Sequence, residues 1–423
     1  MAGFVEETLK ILILALAALP VRAEEPVEAK ATLPGGALTY LHSEPRAAAP
    51  VVISLPGGAA TPENARALFT QWRELVAPRG WAVLVPLLYS GNDPGAKALD
   101  LALADILKRV NADPLRVYLA GAGPSATEVF YTLSRLPDRF AAGLAIQGNP
   151  APAINTNRLF GANTQAVPVL WIQPPPGTEL ARQKLAAAQY NVQVRDNLTD
   201  AQILDWLAGQ RRDAFPSTID CETGNPDFGR CYWIEMTKFD PRRRNDALPS
   251  TRVHPGSGAS LGLGGFGFDA GAAVPGVLVG WLPDGYQGPL KLNDRILSVA
   301  GKTIADGREY LRFMDEMKDE KPVAVVVERG KERLRLETKI VLPKREEVIT
   351  ARVQGRYLAD QKEALIISRA VTEMRVTIPE GWAPLNLSWN GVDLKADSAG
   401  CWLLSQEQDP PSARRCEAAA QVR

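Results

Sequence analysis

The run Arg116-Val117-Tyr118-Leu119-Ala120-Gly121-Ala122-Gly123-Pro124-Ser125 carries a buried strand into a glycine-containing turn. Similar short apolar runs alternate with helical patterns throughout residues 38–212. A continuous apolar run is typical of a strand that is covered on both faces, and strands that alternate with helices form a mainly parallel sheet. The sequence therefore predicts an α/β domain over residues 38–212.

The elements of this domain follow from two kinds of pattern. Helices are predicted where apolar residues recur at helical spacing, as at Ala67, Leu68, Trp72 and Leu75 and again over residues 99–110. Strands are predicted at residues 50–55, 81–85, 116–120, 142–146, 167–172 and 191–194.

The order of these elements resembles the α/β-hydrolase fold, in particular secreted esterases of the polyhydroxybutyrate-depolymerase or feruloyl-esterase type. Leu55-Pro56-Gly57-Gly58 is similar to the oxyanion-hole loop of that family, and Pro137-Asp138-Arg139-Phe140 to the segment that precedes the following strand. The strand over residues 117–120 is similar to the one that ends in the nucleophile elbow. The resemblance implies a serine in a G-x-S-x-G turn, an acid after a later strand and a histidine after the last strand.

Three positions depart from the family pattern. With Gly121 as the first glycine of the elbow, the nucleophile position holds Gly123. A register two residues later would make Ser125 the serine, with Pro124 directly before it. No histidine follows the last predicted strand, and Gln173 opens the segment where the acid is expected. We therefore predict a hydrolase domain that has lost its catalytic triad; its degenerate site consists of Gly121, Gly123 and Ser125 with the oxyanion-like Gly57 and Gly58.

A second long pattern is Leu290-Lys291-Leu292-Asn293-Asp294-Arg295-Ile296-Leu297-Ser298-Val299-Ala300-Gly301-Lys302-Thr303-Ile304. It resembles the PDZ-domain signature and departs from it at Asn293 and Ala300. The preceding Gly265-Phe266-Gly267-Phe268 is similar to the PDZ loop whose N–H groups bind a peptide carboxylate, and Leu261-Gly262-Leu263-Gly264 is an alternative for that loop. The resemblance implies an α+β PDZ domain at residues 258–345 with a helix over residues 308–317. Its peptide-binding residues would be Gly265, Phe266, Gly267, Phe268, Tyr310 and Met314.

The remaining segments flank this PDZ-like region. Residues 213–257 read as a disulfide loop, a strand and a linker, and residues 407–423 as a tail. Short alternating strands with turns such as Asn390-Gly391 predict a small C-terminal β-sandwich over residues 346–406. The strand predicted at residues 232–236 needs a partner, so we expect residues 230–240 to join the sandwich and the PDZ domain to be inserted into it.

The N-terminus and the cysteines predict export. The apolar run of residues 11–19 and the small residues Val21 and Ala23 predict a signal peptide, residues 1–23, cleaved after Ala23; an uncleaved anchor, the alternative, would add membrane contact. Two local cysteine pairs predict disulfides, as expected of a periplasmic or secreted protein. The predicted pairs are Cys221 with Cys231 and Cys401 with Cys416.

Charge and composition exclude two classes of ligand. Lys+Arg and Asp+Glu both number 48, so the chain has no excess of basic residues that would attract nucleic acid. Only two histidines are present, His42 and His254, and neither cysteine pair has metal-ligand spacing. The sequence therefore predicts no metal and no cofactor.

Together these patterns predict a multidomain, non-catalytic exported protein. It would act as a binding or scaffold protein that recognises peptide or protein C-termini through a PDZ groove, beside a pseudoenzyme domain. The alternative is a secreted carboxylic-ester hydrolase with Ser125 as an atypical nucleophile.

Overall fold

A computed structural model describes residues 25–44, 48–57, 61–245, 247–263, 265–269, 272, 275–343, 349–407 and 410–416. The predicted signal peptide, Gly58 and Gly264 lie outside these residues. Within the described part, no helix is long and apolar enough to cross a membrane. The described strands form an eight-stranded sheet and three smaller sheets.

The eight-stranded sheet has the order β1-β2-β4-β3-β5-β6-β7-β8. Its first two strands are antiparallel to their neighbours, and β3 to β8 are parallel. The mixed α/β fold predicted for this region is therefore confirmed. The strands are β1 (Val27–Leu33), β2 (Gly36–His42), β3 (Ala49–Ser54), β4 (Ala82–Pro86), β5 (Ala112–Ala122), β6 (Ala142–Ile146), β7 (Val169–Ile172) and β8 (Val192–Arg195). The helices are α1 (Pro62–Val76), α2 (Asp93–Arg109), α3 (Pro124–Arg135), α4 (Ala151–Asn155), α5 (Glu179–Ala187) and α6 (Asp200–Ala208).

Helices cover both faces of this sheet. Strand β3 is buried along its whole length. Its Val51 and Ile53 pack into the apolar core that contains residues of α2, α3 and α5, while Val52 packs into the core that contains residues of α1 and α6. This alternation is the period of two that a strand imposes on its side chains. The carboxyl ends of the parallel strands consequently form one edge of the sheet, where the loops converge.

Two five-stranded sheets share a third core. One has the order β10-β11-β20-β23-β24 and the other β22-β21-β19-β18-β9. Trp233 and Trp389 are buried between them. Strands β9 and β11 precede residue 258, and they pair with β18 and β20, which follow residue 350. The bounds are β9 (Thr218–Thr223), β10 (Arg230–Cys231), β11 (Ile234–Phe239), β18 (Ala351–Leu358), β19 (Glu363–Arg369), β20 (Val371–Ile378), β21 (Leu385–Trp389), β22 (Val392–Ala396), β23 (Gly400–Ser405) and β24 (Ser412–Cys416).

The intervening residues form a six-stranded sheet with one helix. Its path is β12-β17-β16-β14-β13, with β15 paired to β14. Asn293 and Ala300, the two departures from the signature, both have positive φ, 68° and 53°. The helix begins at Gly307, close to the predicted start. The elements are β12 (Ser260–Leu261), β13 (Val277–Leu278), β14 (Arg295–Val299), β15 (Lys302–Thr303), α7 (Gly307–Asp315), β16 (Lys321–Arg329) and β17 (Glu332–Val341).

Both predicted disulfides are confirmed. Cys221–Cys231 links β9 to β10, and Cys401–Cys416 links the paired strands β23 and β24. Disulfides form and persist in oxidising compartments. The pair of bonds therefore indicates an exported protein.

Candidate functional site

The turn between β5 and α3 has the geometry of a nucleophile elbow. Gly123, between the end of β5 and the first residue of α3, has φ 57° and ψ −123°. This is a strained conformation that glycine tolerates far better than other residues. A sharp strand-to-helix turn of this kind presents the residue at its apex above the sheet. A Cβ built on Gly123 meets no atom within 4 Å, so the apex is open but carries no side chain.

Close packing fixes the register of the elbow. A Cβ on Gly121 would lie 2.5 Å from the carbonyl oxygen of Ser125, and a Cβ on Gly148 would lie 2.2 Å from the Cβ of Ala126. Only glycine permits helix α3 to approach β5 and the segment after β6 this closely. This packing favours the predicted register in which Gly121 is the first glycine of the elbow and Gly123 stands at its apex, with Ser125 two residues after the apex.

Ser125 lies directly beneath this turn. Its Oγ accepts a hydrogen bond from the N–H of Ala122 and donates one to the carbonyl oxygen of the same residue, both at 3.0 Å. The side chain is buried. A Cβ on Gly57, in the loop after β3, would be 3.2 Å from the Ser125 Oγ. The structure thus brings Ser125 together with the elbow and with Gly57 of the predicted oxyanion-like loop.

Three carboxamides follow β6, β7 and β8 at the same edge of the sheet. Gln147 Nε2 donates to Gln173 Oε1 at 2.8 Å, and Gln173 Nε2 donates to Asn197 Oδ1 at 3.3 Å. Gln147 and Gln173 have positive φ, 51° and 50°, immediately after their strands. This amide chain occupies the segments in which the family pattern expects the acid and the histidine. A neutral carboxamide does not take up a proton near neutral pH, so the amide chain supplies no general base.

The two histidines lie elsewhere. His42 is on β2, and β4 and β3 separate it from β5 in the sheet. Its Nδ1 is 3.1 Å from the carbonyl oxygen of Ser43. His254 is exposed in the segment between β11 and β12. Neither belongs to the group of residues at the elbow.

A titratable group that sequence reasoning missed is Glu128, one helical turn after Ser125 on α3. The N–H of Gly91 donates to its carboxylate, while its Oε2 is buried with no hydrogen-bond partner among the described residues. A Cβ on Gly91 would be 2.6 Å from the Glu128 Cγ, so this loop residue closes over the carboxyl group. Burial raises the pKa of Glu128 to about 7, although the Gly91 hydrogen bond opposes the rise.

A carboxylate that titrates near neutrality is suited to general-base chemistry. Residues three apart on a helix face the same side, so Ser125 and Glu128 share one face of α3. The spacing Ser125-x-x-Glu128 was the available sequence signal. In the described part, no group of three His, Cys, Asp or Glu residues could hold a metal ion.

The predicted peptide-binding residues comprise an aromatic cluster, a core methionine and two loop glycines. Phe266, Phe268 and Tyr310 form an aromatic cluster with ring centroids 5.2–5.5 Å apart. Met314 is buried in the core of this sheet. The predicted carboxylate-binding loop, residues 265–268, is hydrogen-bonded to the segment after β13: the Gly267 N–H donates to the carbonyl oxygen of Trp281 at 2.8 Å. Gly265 has φ 61°, as a tight loop requires.

Comparison with known proteins returns esterases and related hydrolases among solved structures. A thermostable esterase is 15% identical, with 45% of this chain and 64% of that one covered and a TM-score of 0.35. Esterase Est22 is 12% identical over 45% of this chain and 82% of that one, with a TM-score of 0.36. S-formylglutathione hydrolase (FrmB) from Staphylococcus aureus is 10% identical over 43% and 97%, with a TM-score of 0.33. The chain thus spans under two thirds of the thermostable esterase. No family model and no curated protein matches the chain.

These comparisons contradict the prediction of a non-catalytic exported binding or scaffold protein. The named neighbours are esterases and hydrolases, and none is a scaffold. They fit the alternative prediction, an ester hydrolase, better. None of them shows a PDZ domain, so that assignment stays a prediction. Likeness at these identities and scores carries nothing about the chemistry of this chain.

Proposed function

We propose that this chain is an exported carboxylic-ester hydrolase whose reaction takes place beneath the elbow, with Ser125 as the nucleophile. The observation that carries the proposal is the placement of Ser125 and Glu128 three residues apart on α3, at the carboxyl edge of the parallel strands. Ligands of open α/β sheets bind at that edge. A seryl hydroxyl needs a neighbouring base, and Glu128 supplies one where the expected histidine is missing.

The reaction follows from this arrangement. In its carboxylate form Glu128 takes the proton from the Ser125 Oγ, which leaves its hydrogen bonds to Ala122 and attacks the ester carbonyl. The backbone N–H of Gly57 would stabilise the oxyanion. Glu128 then donates its proton to the departing alcohol. In the second step Glu128 takes a proton from a water molecule, which attacks the acyl-serine, and Glu128 returns that proton to the Ser125 Oγ as the acid is released.

Turnover of p-nitrophenyl acetate and butyrate by the purified chain tests this proposal. We expect Ser125→Ala and Glu128→Gln each to lower turnover by about 100-fold or more, the usual range for loss of a nucleophile or general base. Ser134→Ala is the matched control, because Ser134 is also buried on α3 but bonds to residues 158 and 160. Absence of turnover in the wild type, or equal turnover in the wild type and Ser125→Ala, would exclude Ser125 as the nucleophile.

We further propose that residues 258–345 of this chain form a PDZ domain, and that this domain binds the carboxyl terminus of a separate peptide. Two observations support this. The aromatic cluster of Phe266, Phe268 and Tyr310 joins the glycine loop to helix α7. Among the described residues, β13 is an end strand of its sheet, with Leu278 and Trp281 exposed beside it. An extended peptide can add to such an edge by backbone hydrogen bonds.

A library of peptides with free or amidated C-termini tests this second proposal by fluorescence anisotropy. Binding should require the free carboxylate and should weaken in Phe268→Ala. Leu365→Ala, an exposed apolar side chain on β19, is the control that should leave binding unchanged. Equal binding of free and amidated peptides would rule out a carboxylate-binding groove.

A further inference from the structure

We propose that a cavity between the eight-stranded sheet and the two five-stranded sheets binds a small hydroxylated oxyanion, either a hydroxycarboxylate or a phosphate. The cavity has a volume of about 410 Å³. This size suits a small metabolite. Its polar lining comes from α2, α3, the segment after α4, the loop after β9, the segment before β12 and the residue before β18. The residues that carry the argument, here called the arginine cavity, are Asp93, Arg135, Asn157, Arg158, Asn225 and Arg252.

The charges of the arginine cavity favour an anion. Three guanidinium groups line it, and Asp93 is the lining carboxylate among the described residues. Arg135 Nε donates to Asp93 Oδ1 at 2.9 Å, and Arg158 Nη1 lies 3.5 Å from Asp93 Oδ2. Asn225 Nδ2 donates to Asp93 Oδ2 at 3.2 Å. Asp93 alone thus faces two guanidinium groups, those of Arg135 and Arg158, which leaves an excess of positive charge on these three side chains.

A buried carboxylate that contacts the lining residue Thr350 does not cancel this excess. Glu222 lies behind Thr350, whose hydroxyl donates to it. Arg369 pairs with Glu222 at 3.1 Å, and Ser250 and Thr251 also donate to it. Glu222 is therefore already neutralised by partners of its own.

Arg135 brings an unsatisfied donor to the wall of the cavity. Arg135 is only 3% exposed, and its Nη1 has no hydrogen-bond partner among the described residues. The guanidinium is held in place by its bond to Asp93 and by the rings of Tyr131 and Phe228, with centroids at 5.4 and 5.3 Å. A buried donor without a partner costs about 1–3 kcal/mol, which a ligand oxygen would relieve. Guanidinium groups match carboxylate and phosphate geometry.

An unsatisfied acceptor, the Asn157 Oδ1, indicates that the ligand also carries a hydroxyl group. Asn157 lines the same cavity, and its Oδ1 is buried without a hydrogen-bond partner in the described part. An amide oxygen needs a donor, which an anionic oxygen cannot provide. A ligand that carries both an anionic oxygen and a hydroxyl group satisfies Arg135 and Asn157 together.

Calorimetric titration of the full chain with malate, succinate and inorganic phosphate, against sodium chloride at equal ionic strength, tests the proposal. Malate has the hydroxyl group that succinate lacks, and phosphate carries both kinds of oxygen. We expect malate or phosphate to bind, with succinate weaker than malate. The ligand that binds distinguishes the hydroxycarboxylate source from the phosphate source.

Three variants complete the test. Arg158→Gln removes a half-exposed guanidinium and should weaken binding about tenfold. Asn157→Gly keeps the positive φ of 60° and should abolish the preference for malate over succinate. Arg242→Gln, whose side chain is 91% exposed, removes the same charge from an unrelated surface and should change nothing. No binding beyond chloride, which leaves water as the partner of these groups, or an equal loss in Arg242→Gln, would overturn the proposal.

Discussion

Replacing Glu128 with glutamine should change the pH dependence of stability in a direction that burial of the carboxyl group dictates. The pKa of Glu128 is raised above its ordinary value of 4.5 to about 7 in the folded protein. Between these values the folded state binds more protons than the unfolded state. Stability is therefore greatest below the unfolded pKa and falls as the pH rises through the folded pKa.

The pKa shift of Glu128 sets an upper bound on the change in the free energy of unfolding, and solvent screening lowers the expected value. A rise of this size corresponds to at most about 3.4 kcal/mol, at about 1.36 kcal/mol for each tenfold change in proton affinity. Because Glu128 is only partly buried, solvent screens the effect, and we expect about 1–2 kcal/mol. Glu128→Gln removes the titration, so the variant should be the more stable protein by that amount at pH 8, and the two should be equally stable near pH 4.

Urea unfolding of both proteins at pH 4, 5, 6, 7 and 8 measures this difference. The exposed Glu74→Gln, on α1, is the control and should give no pH-dependent difference from the wild type of this size. A difference between Glu128→Gln and the wild type that is the same at pH 5 and pH 8 would refute the burial argument. It would also remove the basis for Glu128 as a base near neutral pH.

Three further substitutions test packing and charge by the shift in the urea midpoint. Gly123→Ala should lower stability by about 1–3 kcal/mol despite the open space around it, because the backbone conformation is unfavourable for alanine; an unchanged midpoint would contradict the strain. Asp220→Ala leaves Arg352 buried without its carboxylate partner and should cost about 3–5 kcal/mol, whereas a loss below 1 kcal/mol would show that the pair is dispensable. Replacing both Cys401 and Cys416 with serine removes a disulfide between residues 15 apart in sequence and should lower the free energy of unfolding by about 3 kcal/mol. Reduction of this disulfide can then no longer contribute to the effect of a reductant on stability.

The buried strands were predictable because their signal is local. The strand predicted at residues 142–146 has those bounds in the structure, since every position is apolar or glycine. The hairpin of β1 and β2 begins before the predicted domain start at residue 38. The sequence did not predict β1 because this strand is largely exposed and has no apolar run. The strand predicted at residues 232–236 instead begins at Ile234, after a turn in which Tyr232 has φ 55°. A single residue with positive φ interrupts a strand without leaving a compositional signal.

The site was predictable only where its signal lies along the chain. The elbow glycines and Ser125 lie within five residues of one another, so the sequence alone identified them as candidate site residues. Glu128 acquires its character from Gly91, a residue of another loop that packs against it. The arginine cavity similarly depends on residues from five separate segments. Contacts of this kind are set by the fold, and no local pattern encodes them.

The pairing of β9 and β11 with strands beyond residue 350 imposes an order of events on the newly made chain. Strands β9 and β11 cannot pair until β18 and β20 have been synthesised. Closing the long loop between them is entropically costly. The intervening segment reduces that cost once it has folded, because Ser260 of β12 pairs with Val341 of β17 and holds its two ends side by side. A slow-folding variant of the middle sheet would thus delay burial of Cys221 and Cys231, and leave both thiols open to mispairing during export.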